Sequence, residues 1–296
     1  MKLYNTIKFI VNHPLNKQRK IKAILNFLKW QISSRYLNPY PIIYPFTEKT
    51  RLIIEKGMQG ATGNLYCGLH EYADMMFLLH FLRKEDTFAD IGANIGSYTI
   101  LASGHVGAKT FCFEPIPATF SRLMGNIVLN KMENKTITFN IALGSKKGNI
   151  KFTKSFDTTN HVAAENEIDV LVVPVATLDS VLENQQIPSL LKIDVEGFEA
   201  EVIMGGGEVL KNNALKAILI ELNGSGKKYG YNDSEISTKL LETGFSPYVY
   251  IPKLRKLVEL CPYKSVGINT LYVRDVDFVS KRLECAEKIK IFEKYF

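Results

Sequence analysis

Long apolar runs are missing from the 296-residue sequence: no stretch approaches the roughly 20 apolar residues that a membrane-spanning helix requires. The N-terminus resembles a signal peptide only superficially, because Lys8 and Pro14 interrupt a short apolar stretch and no small-residue cleavage site follows. Cysteine is scarce as well. The four cysteines are widely spaced and form no CxxC pair, which argues against a zinc site and a disulfide framework. We therefore expect a cytoplasmic protein with reduced thiols.

Acidic residues are absent from the first 47 positions, although this segment holds eight of the 37 Lys and Arg residues. The remainder has 29 basic and 30 acidic residues, so the net charge of +7 comes from the N-terminal segment. We expect residues 1–60 to form a basic extension with one amphipathic helix over 17–37. Five apolar residues lie at helical spacing in that helix: Ile21, Ile24, Leu25, Leu28 and Ile32.

The basic extension has three interpretations. In the first, which we favour, the apolar stripe packs on the rest of the chain and the lysines face water. In the second, the helix contacts an anionic membrane leaflet, which would place the protein at the inner face of the membrane. In the third, the segment is a cationic rim that attracts an acidic substrate. We expect no nucleic-acid partner, because the segment has few aromatic residues and no recognised binding motif.

Strands and helices alternate from Asp86 onward, a pattern that predicts an α/β fold with a mostly parallel sheet covered on both faces by helices. The last two predicted strands follow each other without a helix, which indicates an antiparallel pair at one end of the sheet. Loops are expected around Gly57, Gly60 and Gly63. The strands are predicted at 51–55, 87–91, 110–114, 136–142, 190–194, 215–221, 245–251 and 267–274, with two more at 149–153 and 169–175 in an insertion. The helices are predicted at 70–83, from Ser97, and at 117–131, 200–210 and 234–243, with a last one from Asp275.

A glycine-rich turn, Asp90-Ile91-Gly92-Ala93-Asn94-Ile95-Gly96, follows the first strand of this pattern. Ligands bind at the carboxyl ends of the strands in such sheets. Gly92 and Gly96 permit a tight turn and close approach of a ligand to the backbone. The following helix offers free N–H groups to a carboxylate, and Asp90 can meet an amine. A methionine-like group carries both charges and would fit here.

Glu114 ends the next strand, and Pro115 shapes the turn that leaves it. A carboxylate at this point can accept hydrogen bonds from both hydroxyls of a ribose. The alternative is an ordinary strand–helix turn with Glu114 in water. The glycine-rich turn and the acid together favour a nucleoside site.

A third polar segment, Lys192–Glu199, closes a later apolar strand with three acids and one lysine. The alternation of residues puts Asp194 at the strand tip, on the same rim as Asp90 and Glu114. The alternative is a polar loop in which Glu196 and Glu199 are stabilised by a helix dipole.

In combination these segments resemble FkbM-type methyltransferases, a family of S-adenosylmethionine-dependent O-methyltransferases. The matching runs are DIGANIGSYT (90–99), FEP (113–115), ALG (142–144), TLDS (177–180) and KIDVEGFEAEVIMGG (192–206). The resemblance covers roughly residues 66–275, and we assign 61–296 to the methyltransferase domain. It implies a Rossmann-like, seven-stranded sheet with S-adenosylmethionine as cofactor. The expected cofactor-binding residues are Glu71, Asp90, Gly92, Ala93, Asn94, Gly96, Glu114, Pro115 and Ala142.

Methyl transfer to a hydroxyl needs the oxygen held in line with the methyl group and a general base within hydrogen-bond reach. Asp194 is our first choice for the base, and Glu196, Glu221 and His161 are alternatives. A carboxylate base and a magnesium-binding acid look alike in sequence, but no compact set of oxygen ligands demands a metal, so we predict none. The resemblance implies a small-molecule or glycan acceptor, such as a sugar hydroxyl in a polysaccharide, glycolipid or secondary metabolite.

Two other functions stay open at this point. A nicotinamide-dependent oxidoreductase could use a similar fold and Glu114, although the turn reads DxGxNxG and not the GxGxxG that suits a pyrophosphate. A non-catalytic, membrane-associated scaffold could act through the basic extension alone.

Overall fold

The computed structural model describes residues 2–37, 41–153, 170–260 and 269–296. The strands in chain order are β1 (Ile42–Pro45), β2 (Arg51–Ile54), β3 (Thr87–Ile91), β4 (Lys109–Phe113), β5 (Thr136–Phe139), β6 (Ala142–Leu143), β7 (Gly148–Thr153), β8 (Val170–Ala176), β9 (Leu190–Ile193), β10 (Ala217–Glu221), β11 (Ser246–Ile251), β12 (Lys256–Glu259), β13 (Asn269–Val273), β14 (Lys290–Ile291) and β15 (Lys294–Tyr295). The helices are α1 (Lys2–Asn12), α2 (Lys20–Ile32), α3 (Gln59–Cys67), α4 (Tyr72–Phe81), α5 (Ser97–Thr99), α6 (Pro117–Leu129), α7 (Leu178–Leu182), α8 (Glu199–Met204), α9 (Gly207–Lys211), α10 (Asp233–Glu242) and α11 (Val276–Glu284).

The central sheet has eight strands in the order β12-β11-β13-β10-β9-β3-β4-β5. The five from β10 to β5 are parallel, and every residue of β3 and β9 is buried, as apolar strands covered on both faces must be. Strand β13 lies antiparallel between β10 and β11, so the predicted antiparallel pair is confirmed. The expected α/β Rossmann-like sheet is therefore present.

The eighth strand, β12, was not predicted. It lies between the last two predicted strands and pairs antiparallel with β11, with Tyr248 opposite Glu259. Most of its residues are exposed, so its sequence carries little of the hydrophobic alternation that marks a half-buried strand.

The sheet reverses its winding at β3, whose neighbours are β4 on one side and β9 on the other. Such a switch point opens a crevice above the carboxyl ends of the two strands. The turns after β3, β4, β9 and β10 all project from this edge.

The insertion forms a separate three-stranded sheet in the order β6-β8-β7. Its antiparallel pair, β7 and β8, confirms the two predicted insertion strands. The strand predicted over 136–142 is instead divided into β5 and β6. Asn140 lies at the break, where its Nδ2 donates to the carbonyls of Glu114 and Pro115 at 2.8 and 3.1 Å. His161, one of the alternative bases, lies outside the described residues.

The expectation of loops around Gly57, Gly60 and Gly63 is wrong in part, because Gly60 and Gly63 lie inside helix α3. A Cβ at Gly63 would lie 2.3 Å from His70 Nδ1, so glycine lets the helix pack directly on the following segment. The helix predicted over 200–210 is divided into α8 and α9, and Gly205 lies directly after α8. A Cβ at Gly205 would lie 2.1 Å from the Gly144 carbonyl oxygen.

The structure of the N-terminal segment contradicts our favoured interpretation, in which the apolar stripe packs on the rest of the chain. Helix α1 was not predicted, and α2 packs with the face opposite to the predicted stripe: Ile21, Leu25, Leu28 and Ile32 are exposed, whereas Ala23, Phe27 and Trp30 are buried. The two large aromatic rings therefore lie on the inner face of the helix, where they pack on the core. These inner residues belong to the same hydrophobic cluster as Phe88 of β3. The boundary at residue 60 stays a prediction.

No helix among the described residues is both long enough and apolar enough to cross a membrane. Cys67 and Cys112 are buried free thiols, and Cys285 is free and exposed.

The orientation of α2 predicts opposite outcomes for neighbouring substitutions. Phe27 is 4% exposed and packs edge-on against Tyr66, so Phe27→Ala should cost about 3–5 kcal/mol of unfolding free energy. Leu25 is 58% exposed, and Leu25→Ala should change it by less than about 0.5 kcal/mol. Urea unfolding followed by the fluorescence of Trp30 measures both. A larger cost for Leu25→Ala would contradict this orientation.

Candidate active site

A cleft of about 1010 Å³ opens above the carboxyl ends of β3, β4, β9 and β10. This volume is at the upper end of the range for small-molecule sites, so a cofactor and a second molecule could fit together. Among its described lining residues the charges are very uneven, with six carboxylates and one lysine. They are Glu71, Asp90, Glu114, Asp194, Glu196, Glu221 and Lys192.

The glycine-rich turn forms the floor of the cleft. Gly92 and Gly96 have φ of +80° and +90°, in the left-handed region that favours glycine. The amides of Gly92 and Ala93 both donate to the Phe113 carbonyl at 3.0 and 2.9 Å, which ties the turn to the end of β4. A Cβ at Gly92 would lie 1.9 Å from the Asp194 carbonyl oxygen. Glycine at 92 therefore lets the turns after β3 and β9 touch.

The predicted cofactor residues do not all play the same part. Ala93, Asn94, Pro115 and Ala142 line the cleft together with Gly92 and the three acids Glu71, Asp90 and Glu114. Gly96 is not among the lining residues, and a Cβ there would lie 2.5 Å from Leu123 Cδ1. Its place is below the turn, against helix α6.

Asp90 is buried, and its Oδ2 accepts hydrogen bonds from the Thr99 amide and hydroxyl at 3.0 and 2.6 Å. Burial raises the pKa of this carboxyl to about 6, and the Thr99 bonds act in the opposite direction. The sequence predicted that Asp90 would face an amine. In the structure Asp90 also anchors the start of the helix that follows the turn.

Glu114 is buried at the end of β4, and each of its oxygens accepts one backbone bond. The Asn94 amide donates to Oε2 at 3.0 Å, and the Ile116 amide donates to Oε1 at 2.9 Å. Burial raises the pKa of Glu114 to about 7. Each carboxylate oxygen has two lone pairs, so the side chain keeps acceptor capacity for the hydroxyls of a ribose.

Glu71 connects the cleft to strand β13, which begins at Asn269. It accepts hydrogen bonds from the Tyr98 hydroxyl at 2.7 Å and from Asn269 Nδ2 at 2.9 Å, and Asn269 also donates to Asp74 at 2.9 Å. Burial and then the charge of Glu71 raise the pKa of Asp74 to about 6. Sequence reasoning missed Tyr98, Asn269 and Asp74, because Asn269 meets Glu71 across 198 residues of chain.

The three predicted catalytic acids come together. Asp194, Glu196 and Glu221 each have a carboxylate oxygen, and these atoms all lie within 4.8 Å of one another. Lys192 is buried beside them, and its Nζ donates to Asp194 Oδ2 at 3.0 Å and to Asn269 Oδ1 at 3.5 Å. A role for Lys192 was not predicted, although a lysine inside an apolar strand is itself a signal.

The charges of this cluster perturb one another. Burial alone would lower the pKa of Lys192, but the attraction of Asp194, Glu71 and Glu221 outweighs it and holds the pKa above its usual value. Burial and then repulsion by Asp194 raise the pKa of Glu196 to about 7 and that of Glu221 to about 8. Near neutral pH the cluster therefore retains a proton. Glu221 Oε2 is a buried acceptor without a hydrogen-bond partner among the described residues.

Glu199 supports the cluster from behind. Its Oε1 accepts from the amides of Val195 and Gly197, both at 3.1 Å, and the side chain is buried. These bonds hold the loop in which Glu196 adopts φ of +55°. This structural role agrees with the alternative interpretation of Glu199 from the sequence.

The N-terminal helices form part of the cleft wall, which sequence reasoning missed. Leu3 and Phe9 of α1 and Phe27 and Gln31 of α2 are among the lining residues. Phe9 packs against the rings of His13 and His70. Nothing local in the sequence signals this contact, because it depends on how two helices fold back over the sheet.

A sequence profile of the FkbM methyltransferase domain matches residues 90–247, which is more than half of the chain. The chain belongs to the FkbM methyltransferase family. The sequence is 29% identical over 151 residues to the hexuronic acid methyltransferase AglP of Haloferax volcanii, a match that covers 49% of this chain and 59% of that protein. The chain thus spans less than two thirds of this curated relative.

Solved structures of methyltransferases are similar at low identity. An FkbM methyltransferase from Methylobacillus flagellatus has a TM-score of 0.45 and 14% identity, over 73% of this chain and 54% of that one. The TYW2 protein of Pyrococcus horikoshii, solved with MeSAdo, has a TM-score of 0.41 and 12% identity, over 79% of this chain and 69% of that one.

S-adenosylmethionine is the cofactor of the FkbM methyltransferase family, to which the chain belongs, and the described residues suit it. The cofactor carries a sulfonium and an ammonium, which the acidic lining complements, and ribose hydroxyls, for which Glu114 offers acceptors. The same lining opposes the nicotinamide alternative, because a pyrophosphate would face six carboxylates and one lysine already paired to Asp194.

The contact between the two turns predicts that Gly92→Ala disrupts the site. The added Cβ would overlap the Asp194 carbonyl, and alanine disfavours the left-handed backbone. We expect a lower melting temperature and loss of S-adenosylhomocysteine binding, measured by thermal unfolding and calorimetry. Gly148→Ala is the control, since nothing lies within 4 Å of a Cβ there. Equal behaviour of the two variants would contradict the close contact.

Proposed function

We propose that the protein transfers the methyl group of S-adenosylmethionine to a hydroxyl of a sugar. The observation that carries this proposal is the cluster of Asp194, Glu196 and Glu221 beside the glycine-rich turn. The turn would hold the cofactor, and the cluster would receive the acceptor hydroxyl. The name of the Haloferax volcanii relative, a hexuronic acid methyltransferase, supports a sugar as the acceptor class.

The cofactor supplies a methyl group on a sulfonium, which leaves as a neutral thioether, so this chain has to position the acceptor and remove its proton. The acceptor oxygen forms the new bond to carbon while the carbon–sulfur bond breaks, and the hydroxyl proton passes to a carboxylate of the cluster. A base in hydrogen-bond reach typically contributes about 10²–10⁴-fold to such a step.

Asp194 is the base that we propose. It follows β9 directly, and its backbone amide donates a hydrogen bond to the Ile91 carbonyl at 3.0 Å. The ion pair with Lys192 orients its side chain. Lys192 acts as a positioning residue, since its ammonium is buried and donates to Asp194.

Glu196 and Glu221 suit the neighbouring hydroxyls of a sugar ring. A carboxylate accepts hydrogen bonds, and a sugar ring presents adjacent hydroxyls that donate them. The unpartnered Oε2 of Glu221 offers an acceptor in this position. We propose that these two residues orient the acceptor and that Asp194 takes its proton.

The same three oxygens could also surround a divalent cation, because their separations of up to 4.8 Å permit it. We retain the prediction that no metal takes part. Its support is Lys192, whose ammonium already lies 3.0 Å from Asp194 and compensates charge where a cation would bind.

The assignment of Asp194 predicts the result of Asp194→Asn. With radiolabelled methyl donor and a panel of neutral hexosides and hexuronides, the wild type should form a methyl ether, identified by NMR. The variant should lose about 10²–10⁴-fold in kcat and still bind S-adenosylhomocysteine. Glu208→Gln, an exposed acid paired with Lys211, serves as the control. Wild-type turnover in the variant, or loss of wild-type activity with EDTA, would contradict a metal-free Asp194 base.

The raised pKa values predict a pH dependence. Glu196 and Glu221 are protonated below pKa values of about 7 and about 8, so the negative charge of the cluster grows as the pH rises through this range. We expect kcat/KM to rise over the same range. Glu196→Gln removes a repulsion from Glu221, whose pKa should fall, and the rise should move to lower pH. A profile that is flat across this range in the wild type would contradict the proposed proton balance.

A further inference from the structure

Helix α2 carries an apolar stripe that nothing in the described structure covers. We call Ile21, Leu25, Leu28 and Ile32 the outer stripe; their exposed fractions are 78%, 58%, 46% and 53%. They lie at i, i+4, i+7 and i+11, so they form one continuous row on the helix. Single exposed apolar residues are ordinary on protein surfaces, but an unbroken row of four marks an interaction site.

The outer stripe is held in place from behind. Ala23, Phe27 and Trp30 occupy the opposite side of α2 and are buried against the core. Since the inner side is already packed, the helix cannot bury the outer stripe by rotating.

Basic residues flank the outer stripe, and acids are absent. Lys20, Lys22 and Lys29 are exposed on the same helix, and the first 47 residues contain no Asp or Glu. Helix α1 adds exposed Tyr4 and Lys8, and Tyr36 and Leu37 are exposed just beyond α2. Apolar residues with a tyrosine and a surplus of lysine are the composition of helices that lie in the interface of a bilayer.

The charge distribution favours a bilayer over a second copy of the chain as the binding partner of the outer stripe. A symmetric dimer through the outer stripe would place the same surface on both sides, and so would oppose lysines to lysines without an acid to compensate. An anionic bilayer offers hydrocarbon for the stripe and phosphates for the lysines at one surface. The lysines can extend their stems along the apolar face and keep their ammonium groups among the headgroups.

We propose that α2 docks the protein on the surface of an anionic membrane, with the outer stripe inserted at the boundary between headgroups and acyl chains. The proposal does not depend on methyl transfer, since none of the four stripe residues lines the cleft. It also differs from a membrane span, because only one side of a short helix enters the lipid.

The test is co-sedimentation of the full-length protein with vesicles of neutral phosphatidylcholine, or of phosphatidylcholine mixed with phosphatidylglycerol. We expect binding to the anionic vesicles that weakens as salt is added and is much lower on the neutral ones. Leu25→Gln combined with Leu28→Gln should reduce the apparent affinity by about tenfold or more. The matched control combines Val128→Gln with Met204→Gln, two residues of similar exposure (56% and 53%) on α6 and α8.

Several outcomes would overturn the proposal. They are the absence of binding to anionic vesicles, equal loss in the stripe and control variants, and a wild-type dimer in sedimentation velocity that dissociates when the stripe is changed. Calorimetry with S-adenosylhomocysteine should give the same affinity for the wild type and the stripe variant in solution, which shows that the variant is folded. A chain that binds vesicles but not S-adenosylhomocysteine would support the docking surface and reject the proposed function.

Discussion

The ion pair between Lys192 and Asp194 is the interaction on which the cleft depends. Six acidic side chains face one cavity, and repulsion among them would raise their pKa values further if no cation were present. Lys192 lies inside β9, where burial opposes its charge, yet the surrounding acids hold it protonated. A buried ammonium with a good partner is tolerated, whereas an ammonium without one would leave a buried charge uncompensated. Glu71 and Glu221 also attract the ammonium, so Lys192 keeps compensation when Asp194 is replaced.

The cleft leaves an excess of negative charge that a cationic ligand can neutralise. Glu114 and Glu221 have pKa values raised to about 7 and about 8, which reflects both burial and the proximity of other acids. A ligand that carries a sulfonium and an ammonium would relieve this repulsion on binding. The net positive charge of the chain comes from the N-terminal segment, so the protein separates an acidic interior site from a basic outer surface. Each surface suits a ligand of opposite charge.

Local patterns predicted most of the site, because its residues follow directly from strand ends. Asp90, Glu114 and Asp194 each end or follow a buried strand, and the parallel sheet brings those ends to one edge. Glu221 follows the same rule, and its closeness to Glu196 emerges from the pairing of β9 with β10. The central strands could be recognised for the same reason, since their apolar runs have no other place than a covered sheet.

Features that depend on tertiary packing could not be predicted in this way. The spacing of apolar residues in α2 fits two opposite faces, and only the packing of Phe27 and Trp30 on the core decides between them. Asn269 contacts Glu71 across almost the whole chain, and the wall formed by α1 depends on a helix that the sequence did not indicate. A glycine in the sequence does not by itself distinguish a turn from a packed helix: Gly63 lies in a helix that packs closely, whereas Gly92 forms a turn.

We propose that the acidic cleft binds S-adenosylmethionine with its ribose at Glu114. Calorimetric titration of the folded wild type with S-adenosylhomocysteine, compared with Glu114→Ala, is the decisive experiment. We expect clear binding by the wild type, binding about tenfold or more weaker in the variant, and no binding of NADH, since loss of a charged hydrogen-bonding partner costs about 1.5–3 kcal/mol. Failure of the folded wild type to bind S-adenosylhomocysteine, or tight binding of NADH in its place, would contradict it.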